Sequence, residues 1–157
     1  MVKEKIDDIE FKLREHQDFN WLTKYGKIFS VIDETGSGCI LFGIQKSNQK
    51  YFFKIAGAKT VESEVSEQDS IKLLKEAVKK YQEIKYDNLI QYITSFDYQD
   101  FFVVIYKYAE GETLFDHWNF NKYKNNSKME TPGQKFKKLS IEKRLNVIYK
   151  LFSFFET

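Results

Sequence analysis

The feature that most narrows what this chain can fold into is the order of its hydrophobic patterns. Three strand-like runs come first, then one helix-like run, then two more strand-like runs. KIFSVIDE (27–34), CILFGIQ (39–45) and KYFFKIAG (50–57) are rich in β-branched and aromatic residues. A turn bearing Gly36 and Gly38 separates the first two, and the polar KSNQ separates the second and third. Joins this short make an antiparallel meander. After a loop at 59–68, residues 69–85 place Ile71, Leu74, Val78, Tyr81 and Ile84 near helical spacing, with Asp69 or Ser70 as the cap. YDNLIQYITSFDY and DFFVVIYKYAEG then supply two further strands around a turn at 98–100. The fold class that follows is α+β: a five-stranded antiparallel sheet with one inserted helix, then further helices.

The flanks read differently. Ile6, Ile9 and Leu13 stand three and four residues apart, which predicts a charged amphipathic helix over 3–15. ETLFDHW (112–118) begins a short helix, and residues 119–138, with six lysines and the only proline, read as a loop or partly disordered insert. LSIEKRLNVIYKLFSFFE is an amphipathic helix with Ser140 as cap and an apolar face of Leu145, Ile148, Leu151, Phe152 and Phe155. An exposed face of that kind favours self-association or a protein partner. The resulting division is 1–25 (helix and linker), 26–115 (sheet and inserted helix), 116–139 (short helix and lysine-rich insert) and 140–157 (last helix).

Composition mainly excludes. Fifteen Phe and ten Tyr against one Pro argue for an ordered, sheet-containing chain. With 25 basic and 23 acidic residues the net charge is +2, so nothing global points to nucleic acid or to an anionic membrane. Cys39 is alone, and His16 and His117 are far apart, which leaves neither a disulfide framework nor a zinc site to expect. The acidic MVKEKIDDIEF start lacks the apolar core of a secretory signal, and no apolar run reaches membrane-spanning length. A cytoplasmic protein is the expectation.

The order of elements, with particular residues at its corners, resembles the small lobe of protein kinases over roughly residues 26–157. The segment VIYKYAEGETLFDHW is the most similar, to the hinge between lobes. The resemblance makes Tyr106 the gatekeeper, gives the backbone of Lys107 and Ala109 to the adenine edge, and Glu112 to the ribose. YFFKIAG is similar to the strand that carries the phosphate-binding lysine, here Lys54. Its residue two before is Phe52, where the family has a small alanine over the adenine. In LLKEAVKKYQEI the helix glutamate that orients the lysine is Glu76, 22 positions on, with Glu83 as the fallback. Read without the family, Lys54 is an edge-strand lysine facing water, and Glu76 is an i,i+4 partner of Lys80. DETGSGCI stands where the glycine-rich phosphate loop belongs. One register puts Gly38 at the third glycine and Ile40 at the apolar roof position; another puts Gly36 and Gly38 at the first two glycines, with Leu41 at the third. YDN stands in for the His-Pro-Asn-like turn before the fourth strand.

What the resemblance implies is the ATP-binding lobe of a Ser/Thr protein kinase, with ATP and Mg²⁺ as cofactors and a protein hydroxyl as acceptor once a large lobe completes it. The catalytic-loop and Asp-Phe-Gly motifs have no match here, so this chain alone is expected to be inactive. A fragment of a full kinase and a short natural lobe both fit. Two other readings stand beside it: a kinase-like small-molecule phosphotransferase, and a pseudokinase or protein-interaction module without catalysis.

Overall fold

The computed structural model describes residues 1–84, 86–111 and 129–155. It divides into two compact units, Met1–Lys85 with Ile90–Ala109, and Tyr86–Leu89 with Glu110–Thr157.

The first unit is built on the five expected strands. We number them after an N-terminal pair: β1 (Val2–Ile6), β2 (Ile9–Leu13), β3 (Lys27–Ile32), β4 (Cys39–Lys46), β5 (Gln49–Ala56), β6 (Tyr92–Tyr98) and β7 (Phe101–Lys107). The last five form one antiparallel sheet in the order β3-β4-β5-β7-β6. Helix α1 (Glu67–Glu83) lies between β5 and β6 in the chain. Its cap is Ser66, whose hydroxyl accepts from the Asp69 N–H. Ser70 is instead buried and donates to the Gly38 carbonyl at 3.0 Å.

Strand alternation sorts the core into two layers. Along β7, Phe101, Val103 and Ile105 enter one cluster, and Phe102, Val104 and Tyr106 enter the other. The second layer is closed by Leu74 and Val78 of α1. The first layer, with Ile40, Phe42, Phe53 and Ile55, is closed by the N-terminal segment.

That segment is where sequence reasoning erred. Residues 3–15 are not a helix but the hairpin β1-β2, paired from Val2↔Leu13 to Ile6↔Ile9. The spacing of Ile6, Ile9 and Leu13 suits a helix, but Ile9, Phe11 and Leu13 also alternate, and Asp7-Asp8 makes a two-residue turn. Asp7 adopts φ +50°, a conformation that Asp tolerates better than most residues. Its carboxylate accepts the Ile28 N–H at 2.7 Å. Phe11 and Leu13 thereby reach the sheet, and a 3-10 helix (Asn20–Tyr25) adds Leu22. The aromatic packing is close: Phe11 meets Phe42 edge-on at 5.6 Å, and Phe19 lies 5.4 Å from Phe42. Residues 1–25 therefore belong to the sheet's own core and are not a separate helix and linker.

The second unit holds α2 (Pro132–Lys137) and α3 (Ile141–Phe154). The insert read as loop to 138 contains α2, which starts on a capping box between Thr131 and Gln134 with Pro132 in the first turn. Ser140 caps α3, its hydroxyl accepting from the Lys143 N–H. Ile141, Leu145, Ile148, Leu151, Phe152 and Phe155 are exposed. Tyr86 anchors the end of α3, its ring 5.2 Å from Phe154 and its hydroxyl 2.8 Å from that of Ser153. Among the described residues, no helix is long and apolar enough to cross a membrane.

Candidate functional site

β5 carries Lys54 in the middle of the sheet, paired with Leu41 of β4 and Val104 of β7. Because Phe53 and Ile55 enter the hairpin-side core, Phe52, Lys54 and Ala56 share the α1 face. Ala56 is buried there, Lys54 is half-buried, and Phe52 packs 6.5 Å from the ring of Tyr106. Tyr106 also meets Tyr81 at 5.6 Å and Tyr92 at 6.2 Å. Burial among these rings pushes its hydroxyl from the ordinary 10.0 up to about 12. So the structure brings Phe52, Lys54 and Tyr106 onto one surface.

It does not bring Glu76 to them. Glu76 lies two residues from each of Leu74 and Val78, about 160° round the helix axis from both. Since those two residues face the sheet, Glu76 is exposed on the outer side of α1. Lys54 and Glu76 form no ion pair, and Lys54 has no carboxylate partner among the described residues. Glu83 ends α1 and is exposed as well.

The glycine turn is fastened down. The Gly36 carbonyl accepts the Glu64 N–H at 3.0 Å, the Gly38 carbonyl accepts the Ser70 hydroxyl, and the Thr35 carbonyl accepts the Thr60 hydroxyl at 3.1 Å. Gly38 stands at φ +67°, where a side chain would crowd Ser63 and Ser70 at 3.0–3.1 Å. Ile40 is fully buried in the hairpin-side layer, on the face opposite Lys54. It therefore cannot roof a ligand beside Lys54, and the residue of β4 paired with Lys54 on that face is Leu41.

At the end of β7, the Lys107 N–H donates to the Gln91 carbonyl at 2.8 Å and the Tyr108 N–H to the Lys50 carbonyl at 3.1 Å. Lys107 and Ala109 are exposed. Glu112 and the helix expected at 112–118 lie outside the described residues.

Two residues of this surface escaped the sequence reading. The pairing of β3 with β4 slips between Ile28 and Ser30, leaving Phe29 as the extra residue of a bulge. A bulge re-aims the side chain it carries. The Phe29 ring lies over Gly43, where a Cβ would come within 2.7 Å of it, and Gly43 pairs with Phe52. Tyr108 meets Phe29 edge-on at 5.2 Å, and the Lys50 ammonium lies 5.5 Å and 5.7 Å from the two rings. The available signal was Gly43 itself, since a glycine inside a strand marks a bulge or a close approach.

The groups present do not fit the ATP and Mg²⁺ of the resemblance well. Lysine and glutamate are on different sides of α1, the glycine turn is tied to the 60–70 segment, and aromatic rings cover the surface beside Lys54. Among the described residues no cluster of three or more His, Cys, Asp or Glu side chains could hold a metal ion. No family model, curated protein or solved structure matches the chain.

Proposed function

We propose that this chain is a kinase-like small lobe working as a non-catalytic binding module. The order of strands with α1 inserted after the third supports the kinase-like half of that reading. The observation that carries the non-catalytic half is the packing of α1, which turns Leu74 and Val78 to the sheet and Glu76 away from Lys54. Phosphoryl transfer needs that pair in place to hold the phosphates. Incubating the chain with ATP, Mg²⁺ and a protein acceptor tests the reading. Equal background for the wild type and Lys54→Ala is the expected result, and turnover lost in Lys54→Ala overturns it.

A second reading, a nucleotide-binding lobe of a Ser/Thr kinase, is favoured by Lys54 itself. Lys54 is half-buried on the α1 face without a carboxylate partner among the described residues, and a phosphate would pair with its ammonium. A thermal shift in Mg-ATP that Lys54→Ala abolishes would favour this reading. A small-molecule phosphotransferase would share the same surface. Protein partners or self-association are supported by the exposed apolar side chains of α3, and sedimentation of the wild type against Phe152→Ser measures the latter.

A further inference from the structure

We propose that Phe29 and Tyr108 form an internal plug over the Lys54 face, seated where a flat heteroaromatic ligand would lie. The inference rests on the kinase-like reading and gives its non-catalytic half a device. It stands on four features of the fold. The bulge at Phe29 turns that ring out of the alternation of β3 and onto the face shared by Phe52, Lys54 and Tyr106. Gly43 gives it a seat: with no side chain on β4 at this position, the Phe29 ring settles over the strand beside the Ser30 hydroxyl. Tyr108, between the two residues whose backbone the resemblance assigns to the adenine edge, meets Phe29 at 5.2 Å from beside β5. Lys50, whose carbonyl also accepts the Tyr108 N–H, lies within 5.7 Å of both ring centres and draws them together by cation–π attraction.

An edge strand and the hinge are thus joined by a bridge of rings across β4 and β5. The seat on Gly43 is flanked by Phe52 and by the Ser30 hydroxyl, and the next pair along the same face is Leu41 with Lys54. That is a suitable place for a purine with a phosphate tail, and Phe29 holds the purine position. The plug predicts that the surface binds adenine nucleotides once the ring is removed.

The test compares Mg-ATP binding by titration calorimetry in the wild type, Phe29→Ala, Tyr108→Ala and Phe29→Ala/Lys54→Ala, each confirmed as folded by circular dichroism. Expected is saturable binding at least tenfold tighter in Phe29→Ala than in the wild type, with the gain lost when Lys54 is also removed. Tyr108→Ala, which opens the bridge from its other end, gives a smaller gain and keeps the test informative if Phe29→Ala fails to fold. Folded variants that bind no more tightly than the wild type overturn the plug while leaving the non-catalytic reading in place. Phosphoryl transfer by the wild type overturns the non-catalytic reading and is read in a separate assay.

Discussion

Gly57 and Asp100 meet backbone to backbone: a methyl group on Gly57 would come within 2.5 Å of the Asp100 carbonyl oxygen. Gly57 also stands at φ +92°, a conformation that L side chains resist. The contact joins the end of β5 to the turn between β6 and β7. Gln17 braces the same loop, donating from Nε2 to the Gly57 carbonyl at 3.1 Å and accepting the Lys59 N–H at 2.7 Å.

Gly57→Ala should therefore destabilise the chain by about 2–4 kcal/mol, since strain and a backbone clash act together. Urea unfolding measures it. A loss below about 0.5 kcal/mol, the usual range for an indifferent surface site, would mean that the two segments do not touch.

The N-terminal hairpin is part of the core and not an appendage. Phe11 is 4% exposed and packs its ring against both Phe19 and Phe42. Phe11→Ala should cost about 3–5 kcal/mol, the range for a buried aromatic. Equilibrium denaturation with a single transition reads it. A cost under about 1 kcal/mol would place the hairpin outside the cooperative unit.

Tyr106 sets an alkaline limit to stability. Its hydroxyl is held up to about 12 by burial, against an ordinary 10.0 in the unfolded chain. The folded state keeps the proton that the unfolded state gives up, so the contribution is whole below pH 10 and is lost as pH rises through about 12. Urea midpoints taken from neutral pH upward should hold steady from this group to about pH 10 and then fall. Tyr106→Phe should flatten that fall, and an unchanged slope would assign it to other groups.

Much of this was legible in the sequence because it rests on period-two patterning. The runs around Phe53, Val103 and Val104 are apolar on both faces, and a strand covered by α1 on one side and the hairpin on the other requires that. The N-terminal hairpin was not legible from spacing alone, since Ile6, Ile9 and Leu13 satisfy a helical period while Ile9, Phe11 and Leu13 satisfy a strand. Only the long-range partners Phe42 and Thr60 decide between them, Leu13 bridging to Thr60 across the loop. Of the candidate site, Lys54, Phe52 and Tyr106 follow from alternation and lie together. Glu76 does not, because the phase of a helix on a sheet is set by which apolar residues bury best, and Leu74 with Val78 prevails. Ile40 falls on the opposite face for the same reason of parity. Phe29 was missed because a bulge breaks the alternation of a strand, and Gly43 opposite was the one local sign of it.

The most direct test of a kinase-like lobe without a working phosphate clamp is a double-mutant cycle on Lys54→Met and Glu76→Gln, with unfolding free energies measured in millimolar Mg-ATP. Residues on different sides of α1 should be additive, with a coupling energy within about 0.5 kcal/mol of zero. A coupling of about 1 kcal/mol or more would mean that Lys54 and Glu76 act as a pair when nucleotide is present, and would contradict the non-catalytic reading.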